Sequence, residues 1–377
     1  MAGIYLHIPF CKKRCIYCDF YSTTEETKKE AYVDALCTEL KIRRAYVENE
    51  NIETVYLGGG TPSQLNEKAF RQLFDCIDRV YGMEYCKEIT LEANPDDLNE
   101  KYVHMLRRLP FNRISIGIQT FNDKTLQFLQ RRHTARQAIE AIRRCQEAGF
   151  HNISIDLIYG LPNETTETWQ TDLQQAIDLK VQHISAYHLI YEEGTPLWQL
   201  KTQQQIHEID EDRSLSFFTQ LIETLSAAGY EHYEISNFCL PGYYSQHNSS
   251  YWTGKKYIGC GPSAHSYNGM SRQWNIASLN DYIREIETGK VPYEKEDLNV
   301  YMRYNDRIIT SIRTMWGLSL SNLRKEFGEK LYQYCLQNAS PHIEQGMMEI
   351  KKDTLRLTRQ GIFISDGIMS DLLWIDE

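Results

Sequence analysis

The residues best suited to chemistry lie near the start of the chain, where three cysteines share one short segment. Cys11, Cys15 and Cys18 have the spacing Cys-x3-Cys-x2-Cys, and an aromatic residue, Tyr17, stands just before the third thiol. Thiolate ligation of four-iron clusters is the usual role of closely spaced cysteines in a cytosolic protein. Three thiolates on one loop suit a cubane cluster whose fourth iron stays free. A small molecule can bind at that iron and receive an electron directly.

Two other uses of these cysteines are weaker. A structural zinc ion normally takes four protein ligands, and only three cysteines are close here. His7 is a candidate for the fourth ligand, but it lies on a predicted strand. A dithiol redox pair, Cys15-x-x-Cys18, leaves Cys11 unexplained. The spacing therefore favours the cubane cluster, while the zinc site and the redox pair stay open as alternatives.

Composition places the chain among globular proteins of the cytoplasm. Its 377 residues are 42% hydrophobic, and the formal net charge is −10. An acidic chain lacks the concentrated basic face that a nucleic-acid groove needs. No run reaches the roughly 18 apolar residues of a membrane span, and we see no secretory signal. In a reducing compartment, single cysteines are most often small buried hydrophobes. The scattered ones are Cys37, Cys76, Cys86, Cys145, Cys239, Cys260 and Cys335.

The elements that must position the cysteines alternate between strands and helices. Predicted strands are 3–8, 54–57, 88–92, 113–118, 152–157 and 183–189. Amphipathic helices are predicted at 28–47, 68–81, 100–108, 135–148 and 165–179. Strands alternating with helices of this length predict an α/β fold with a parallel sheet. Six such units indicate a partial (β/α)6-type barrel, whose chemistry gathers at the carboxyl ends of the strands.

The second half of the chain does not continue the regular alternation of strands and helices. A helix at 210–228 and a strand at 230–235 precede an irregular section, 237–275, which is rich in glycine and aromatic residues. Further on, 306–315 and 320–337 are predicted helices, and 348–357 with 362–364 resemble the wing of a small winged-helix module. We therefore divide the chain into a core (1–236), an extension (237–295) and a C-terminal winged-helix-like domain (296–377).

A glycine-rich turn follows the second predicted strand. It runs Gly58-Gly59-Gly60-Thr61-Pro62. Glycines let backbone groups approach a ligand closely, but a turn of this kind is weak evidence by itself. Next to the cysteine loop it becomes a candidate for holding the polar end of a ligand.

These motifs together resemble the radical S-adenosylmethionine (SAM) superfamily. The match is closer to its oxygen-independent coproporphyrinogen oxidase-like branch. It covers the chain to about residue 270 and, less distinctly, the C-terminal module. The segments that carry it are Tyr5-Leu-His-Ile-Pro-Phe-Cys11, Tyr56-Leu-Gly-Gly-Gly-Thr-Pro-Ser63, Leu91-Glu-Ala-Asn-Pro95, Ile114-Ser-Ile-Gly-Ile-Gln-Thr-Phe121 and Asp156-Leu-Ile-Tyr-Gly-Leu-Pro162. Because five motifs occur in the same order, the probability that the similarity arose by chance is very small.

Three features distinguish the two kinds of protein in that branch. The oxidase has a fourth cysteine two residues after the third, where this chain has Phe20. The oxidase also has an N-terminal extension, whereas the first strand here starts at Gly3. The segment Gln246-His247-Asn248-Ser-Ser-Tyr251-Trp252 resembles the His-Asn-x-x-Tyr-Trp motif of the haem chaperones, the HemW proteins. All three features favour a haem chaperone.

The resemblance implies a role for several residues. Cys11, Cys15 and Cys18 would hold a [4Fe–4S] cluster, and SAM would bind its open iron through amino and carboxylate groups. The residues implied at the SAM site are Tyr5, Tyr17, Gly59, Gly60, Thr61, Glu92, Gln119, Arg131 and Asp156. An ammonium group prefers a carboxylate, a ribose diol a carboxylate or amide, and a carboxylate an arginine. Structural alternatives stay open, because carboxylates also cap helices or form ion pairs, and two adjacent arginines also occur on solvated surfaces.

His247 is the candidate haem ligand. A neutral imidazole is a common axial ligand of haem iron, and the aromatic residues around it suit a flat macrocycle. Residue chemistry alone favours a buried histidine bonded to backbone, with Asn248 closing a turn, whereas the motif favours the ligand. Cys260 and His265 are rival ligands.

The resemblance therefore implies a protein that binds haem and a SAM-liganded cluster and transfers haem to haem-requiring, respiratory proteins. An oxygen-independent coproporphyrinogen III oxidase, which decarboxylates porphyrinogen propionates, is the alternative, and a zinc-stabilised binding module is a third. The implied partners are haem or a porphyrin, haem-acceptor proteins and an electron donor for the cluster. A homodimer and peripheral contact with a membrane are compatible with the resemblance. The sequence assigns no catalytic residue.

Overall fold

A twelve-stranded sheet organises most of the chain in the computed structural model, which describes residues 1–48 and 50–375. Six strands are parallel and neighbour one another in chain order: β1 (Ala2–Ile8), β2 (Ile52–Gly59), β3 (Glu88–Ala93), β4 (Arg113–Gln119), β5 (Ile153–Tyr159) and β6 (His183–His188). The helices of these units are α1 (Lys29–Ile42), α2 (Glu67–Tyr81), α3 (Glu100–Leu106), α4 (Asp123–Phe128), α5 (Ala135–Glu147) and α6 (Thr166–Asp178). This arrangement confirms the predicted α/β fold and its parallel core.

The local sequence explains why these segments form. In β1 the residues Ile4, Leu6 and Ile8 are fully buried, while the alternate side chains face the opposite side of the sheet. Helices α2 to α6 each begin at an Asn or Thr whose side chain accepts from a backbone N–H of the first turn. Thr134 and Thr165 each form a capping box at the start of α5 and α6. Residues from these strands and helices share one hydrophobic core. The core thus fixes which strand residues face the site.

The section predicted to be irregular, 237–275, contains regular structure, so that prediction is wrong. After α7 (Pro196–Thr202) and α8 (Glu211–Ala227), β7 (Glu231–Glu234) pairs with β8 (Asn237–Cys239). Next come α9 (Gln246–Trp252), β9 (Tyr257–Cys260), β10 (His265–Tyr267), β11 (Ser271–Asn275), α10 (Leu279–Glu287) and β12 (Tyr293–Asp297). Strand β9 pairs in parallel with β1, and β10 to β12 continue the sheet in antiparallel order. The predicted division at residue 236 therefore falls between two paired strands.

The C-terminal part has its own small sheet and its own core. It comprises α11 (Val300–Ile312), β13 (Leu318–Ser319), α12 (Leu320–Glu344), β14 (Met348–Lys351), β15 (Thr354–Leu357), α13 (Arg359–Ile362) and α14 (Ser365–Leu372). Its three strands have the order β13-β15-β14, and a second hydrophobic cluster lies among these helices. The hairpin of β14 and β15 lies within the predicted wing. Residues 362–364 do not add a strand to it, because Ile362 ends a helix and α14 starts at Ser365.

No helix of the described residues combines the length and the apolar character that crossing a lipid bilayer requires.

Candidate functional site

The three cysteines lie on the loop that follows β1. All three are partly exposed free thiols. The backbone N–H of Cys11 donates to the Thr23 carbonyl at 2.9 Å, and that of Cys18 donates to the Cys15 carbonyl at 3.4 Å. Between them, Ile16 packs into a small apolar cluster beside Leu129 and Leu197. The loop is therefore anchored at its middle while its sulfurs stay accessible.

The donor set on this loop fits a cubane cluster. Within the described residues, no three Cys, His, Asp or Glu side chains are grouped to hold one metal ion. A cubane takes each thiolate on a different iron, so its ligands do not converge on a point. Burial raises the pKa of Cys18 to about 11. A thiol of this kind would lose its proton on coordinating cluster iron.

The glycine turn packs directly against the cysteine loop. Gly59 has a φ of +103°, and a β-carbon at this residue would lie 2.6 Å from the His7 ring. A β-carbon on Gly60 would lie 2.7 Å from the carbonyl carbon of Pro9. Next in the chain, the Thr61 hydroxyl lies 3.3 Å from the sulfur of Cys11. The close approach of two backbones explains the glycines here.

Two carboxylates of the parallel strands, Glu92 on β3 and Asp156 on β5, interact with each other near this turn. Glu92 accepts hydrogen bonds from the Tyr56 hydroxyl at 2.6 Å and from the Gly59 N–H at 3.2 Å. Burial raises the pKa of Glu92 to about 7 and that of Asp156 to about 6, and the charge of Asp156 adds to the shift of Glu92. A ligand that carries positive charge, as SAM does at its ammonium and sulfonium groups, would offset this desolvation.

Arg131 joins the cysteine loop to the ends of β3 and β4. Its guanidinium donates to the Asn94 side chain at 2.7 Å, to the Gly117 carbonyl at 2.5 Å and to the Cys15 sulfur at 3.4 Å. Its Nε is buried and has no partner among the described residues. Arg132 instead forms an ion pair with Asp96 at 2.7 Å. A free, buried Nε is the kind of donor that a ligand carboxylate accepts from.

The other predicted SAM residues surround the same space. Gln119 ends β4 in a left-handed conformation, with φ of +71°, after a register shift that reorients its side chain. Tyr17 interacts with both Cys15 and Arg131, and burial raises its pKa. The Tyr5 ring stacks on that of Tyr56 at 6.1 Å between centroids. The structure thus brings the predicted SAM residues together around the cysteine loop.

The imidazole of His247 is buried, and both of its nitrogens are hydrogen-bonded. Its ring is fully buried, and Nδ1 hydrogen-bonds the Thr54 hydroxyl at 2.8 Å while Nε2 hydrogen-bonds the Tyr251 hydroxyl at 2.7 Å. The ring also stacks on Tyr56 at 5.1 Å. Burial lowers the pKa of His247 to about 3, so the ring is neutral. Both ring nitrogens are hydrogen-bonded to side chains in this arrangement, and haem ligation by His247 stays a prediction.

The two rival ligands differ in access. Cys260 is fully buried on β9, and burial raises the pKa of its thiol. His265 is exposed and stacks on Trp274, with 6.1 Å between ring centroids. Of the three candidates for haem iron, His265 alone has an imidazole at the surface.

Sequence reasoning missed several residues that hold the site. Asn94 bonds both Arg131 and the Thr61 hydroxyl, and it stands in one of the five motifs, which was the available signal. Glu88 accepts from the backbone N–H groups of residues 246 and 247 at 3.0 and 2.9 Å. Arg113 is fully buried 3.9 Å from Glu88 and interacts electrostatically with His247. Nothing in the sequence linked these two residues to the motif.

Comparisons with known proteins agree with this geometry. The family model "Radical SAM superfamily" matches residues 5–176, and "HemN C-terminal domain" matches residues 302–364. The heme chaperone HemW of Lactococcus lactis is 32% identical over 99% of this chain and 97% of its own length. HemW of Bacillus subtilis is 31% identical over 99% of both chains.

Among solved structures, the coproporphyrinogen III oxidase HemN of Escherichia coli matches with a TM-score of 0.85. The match covers 98% of this chain and 89% of that one at 22% identity, which shows a shared fold. These matches confirm the resemblance read from the motifs, and the superfamily implies a [4Fe–4S] cluster and SAM. The chain belongs to the radical SAM superfamily and, within it, to the family of the HemW proteins.

Proposed function

We propose that this chain is a cytoplasmic haem chaperone that binds haem and a SAM-liganded [4Fe–4S] cluster and transfers the haem to haem-requiring proteins of respiration. The observation that carries the proposal is the match, over nearly the whole chain, to relatives named heme chaperone HemW. The residue at position 20 supports it, because an exposed phenylalanine stands where the related oxidase has a further cysteine.

Different residues of the chain would bind the cluster and the separate groups of SAM. Cys11, Cys15 and Cys18 ligate the cluster, which supplies an open iron and single electrons when bound. Arg131 offers its free Nε to the carboxylate of SAM. The carboxylates of Glu92 and Asp156 meet its positively charged and ribose groups. Thr61 orients the Cys11 sulfur, to which its hydroxyl is already hydrogen-bonded.

Haem ligation by His247 requires a rearrangement of α9. Freeing the imidazole breaks its hydrogen bonds to Thr54 and Tyr251, at a net cost of about 0.5–1.5 kcal/mol for each bond. An iron–imidazole bond is strong enough to offset that cost. His265 is exposed and would bind without it, so the two ligands predict different responses to substitution.

Haem titration of variants separates these ligands. His247→Ala should lower the affinity and change the absorbance spectrum if His247 binds the iron, with His265→Ala as the matched control. Tyr251→Phe releases Nε2 without removing the ring, so it should raise the affinity or the association rate. A wild-type spectrum in His247→Ala, together with a changed one in His265→Ala, would assign the haem to His265.

Transfer itself needs a direct test. Haem-loaded protein is mixed with haem-depleted respiratory membranes, and the return of haem-dependent oxidase activity is followed, with the same amount of free haem as the control. The proposal expects faster recovery from the loaded protein and transient peripheral contact with the membrane. Recovery no faster than with free haem would contradict a chaperone role. The same samples, run on a sizing column with and without haem, report whether a homodimer forms.

The oxidase is the second candidate, because a coproporphyrinogen III oxidase is among the solved structures that share this fold, and the match covers 98% of this chain. Anaerobic incubation with coproporphyrinogen III, SAM and a reductant distinguishes the two functions. A vinyl-bearing product at enzymatic rates would favour the oxidase. Assays for iron and acid-labile sulfide on the same reconstituted protein test the zinc alternative, since zinc without sulfide would exclude the cluster.

A further inference from the structure

A buried carboxylate beside the cysteine loop connects the ends of three neighbouring strands. Asp97 lies in the turn that follows β3, and its side chain is 3% exposed. Its Oδ1 accepts from the Lys12 ammonium, on the cysteine loop after β1, at 2.8 Å. Its Oδ2 accepts from the Ser63 hydroxyl at 2.8 Å and from the Gln64 amide at 2.6 Å. These last two residues directly follow the glycine turn after β2, so Asp97 joins both loops to its own.

The hydrogen bonds of Asp97 set it apart from the carboxylates proposed for SAM, Glu92 and Asp156. Both oxygens of Asp97 accept from side chains, and Arg132 approaches each of them at 3.4 Å. The closest carboxylate to Arg132 is Asp96, at 2.7 Å. A buried charge that is paired and hydrogen-bonded holds its partners in place, because leaving it unsatisfied is costly. This arrangement suits support of the site and not contact with a ligand.

The partners of Asp97 are sequence neighbours of residues in the candidate site. Lys12 directly follows Cys11, and Ser63 lies two residues after Thr61. The Thr61 hydroxyl lies 3.3 Å from the Cys11 sulfur, which is the point where the two loops meet. Asp97 is therefore bonded to each loop close to this contact.

A second connection reaches the arginine proposed for SAM. The Ser63 hydroxyl, which donates to Asp97, also accepts from the backbone N–H of Asn94 at 3.3 Å. The Asn94 side chain accepts from Arg131 at 2.7 Å and donates to the Thr61 hydroxyl at 3.3 Å. A displacement of Asp97 would therefore act on this arginine as well as on the two loops.

We propose that Asp97 is a positioning residue, which fixes the cysteine loop against the glycine turn and so holds the Cys11 sulfur at Thr61. The chain alone forms these contacts, so the loops are set before a cluster or SAM binds. Loops that are already in place avoid the entropic cost of being ordered on binding. The role toward the cluster and SAM rests on the proposed function, whereas the effect on the loops does not.

The first experiment uses the full chain without cluster or SAM, under anaerobic reducing conditions. Alkylation with iodoacetamide and peptide mass mapping give the rate at Cys11 relative to Cys86, a partly exposed thiol that precedes β3 at its other end. Lys12→Met and Asp97→Asn should each raise this ratio at least about threefold, because the loop then opens more often. Arg132→Met is the matched control and should keep the wild-type ratio.

Titration of the reconstituted protein with SAM separates positioning from a simple charge effect. Lys12→Met removes a positive charge and Asp97→Asn a negative one, so a purely electrostatic effect would move the affinity for a positively charged ligand in opposite directions. Positioning predicts a fall of about tenfold in both variants. The double variant should fall no further, because both changes remove the same contact. Lys12→Arg keeps the cation and should restore most of the affinity.

The outcomes decide between these explanations. If Asp97→Asn fails to fold, Lys12→Met still tests the proposal, since the Lys12 side chain is 47% exposed and its replacement leaves the core intact. A wild-type alkylation ratio in Lys12→Met would overturn the proposal, as would SAM affinities that move in opposite directions. If the wild-type protein takes up neither cluster nor SAM, the proposed function fails, while alkylation of the chain without cofactors still reports on Asp97.

Discussion

The affinity for SAM should depend on pH through two partly buried carboxylates, Glu92 and Asp156. Burial raises the pKa of Glu92 to about 7 and that of Asp156 to about 6. Both groups must be ionised to meet positive charge and ribose hydroxyls on the ligand. Lowering the pH from 8 to 6 protonates Glu92 almost completely and Asp156 by about half. The association constant for SAM should therefore fall over this range.

The size of the fall follows from the ionised fractions. For a pKa of about 7, the ionised fraction of Glu92 drops about tenfold between pH 8 and pH 6. For a pKa of about 6, that of Asp156 drops about twofold. Together they predict a loss of about twentyfold in affinity. Glu92→Gln removes the tenfold contribution of Glu92, so the affinity of this variant for SAM should fall only about twofold between pH 8 and pH 6.

Isothermal titration of reconstituted protein with SAM at pH 6, 7 and 8, at constant ionic strength, measures this dependence. The amino group of SAM titrates in the same range, but it does so equally for both proteins. The ratio of wild type to Glu92→Gln at each pH therefore isolates the carboxylate. A ratio that does not change between pH 6 and 8 would refute the assignment of Glu92 as an ionised ligand of SAM.

Three further changes have defined outcomes. Arg131→Met removes a charge-assisted hydrogen bond, so SAM affinity should fall by about 1.5–3 kcal/mol in titration, whereas Arg132→Met should leave it unchanged. Glu88→Gln removes the carboxylate 3.9 Å from the fully buried Arg113, on which the charges of Glu92 and Asp156 also act, so urea unfolding should show a loss smaller than the about 3–5 kcal/mol of a fully unpaired buried charge. His247 has a folded-state pKa of about 3, so the unfolded chain binds its proton first as pH falls below 6.5. Stability should therefore decline from pH 6.5 downward, with a smaller slope in His247→Asn; equal slopes would contradict the burial.

The βα units were predictable because their signals are local. Runs of alternating hydrophobic residues and capped amphipathic helices fix each element, and a parallel sheet in chain order then puts the loops after β1 and β2 side by side. The observed register pairs Ile8 with Gly59, so the cysteine loop and the glycine turn do meet. The short strands of 237–275 had no such signal. Strand β9 is four residues long and pairs with β1, more than 240 residues earlier in the chain.

The partners of His247 were unpredictable for the same reason. Thr54, which bonds its ring, and Glu88, which accepts from its backbone N–H, are 193 and 159 residues away in sequence, so the motif reveals a candidate ligand but not the groups that hold it. The cation that faces it, Arg113, lies on β4. A motif therefore identifies residue types, whereas access to them depends on contacts that only the folded chain shows.

Tyr56 contacts both the proposed SAM ligand Glu92 and the proposed haem ligand His247. Its hydroxyl donates to Glu92 at 2.6 Å, and its ring stacks on His247 at 5.1 Å between centroids. Tyr56→Phe removes only the hydroxyl, so it should raise the pKa of Glu92 further and weaken SAM binding at pH 7 several-fold while haem binding stays unchanged. Tyr56→Leu also removes the stacking partner of His247 and should alter both affinities. If Tyr56→Phe changes haem affinity as much as SAM affinity, the hydroxyl and the ring do not act separately, and this assignment of roles fails.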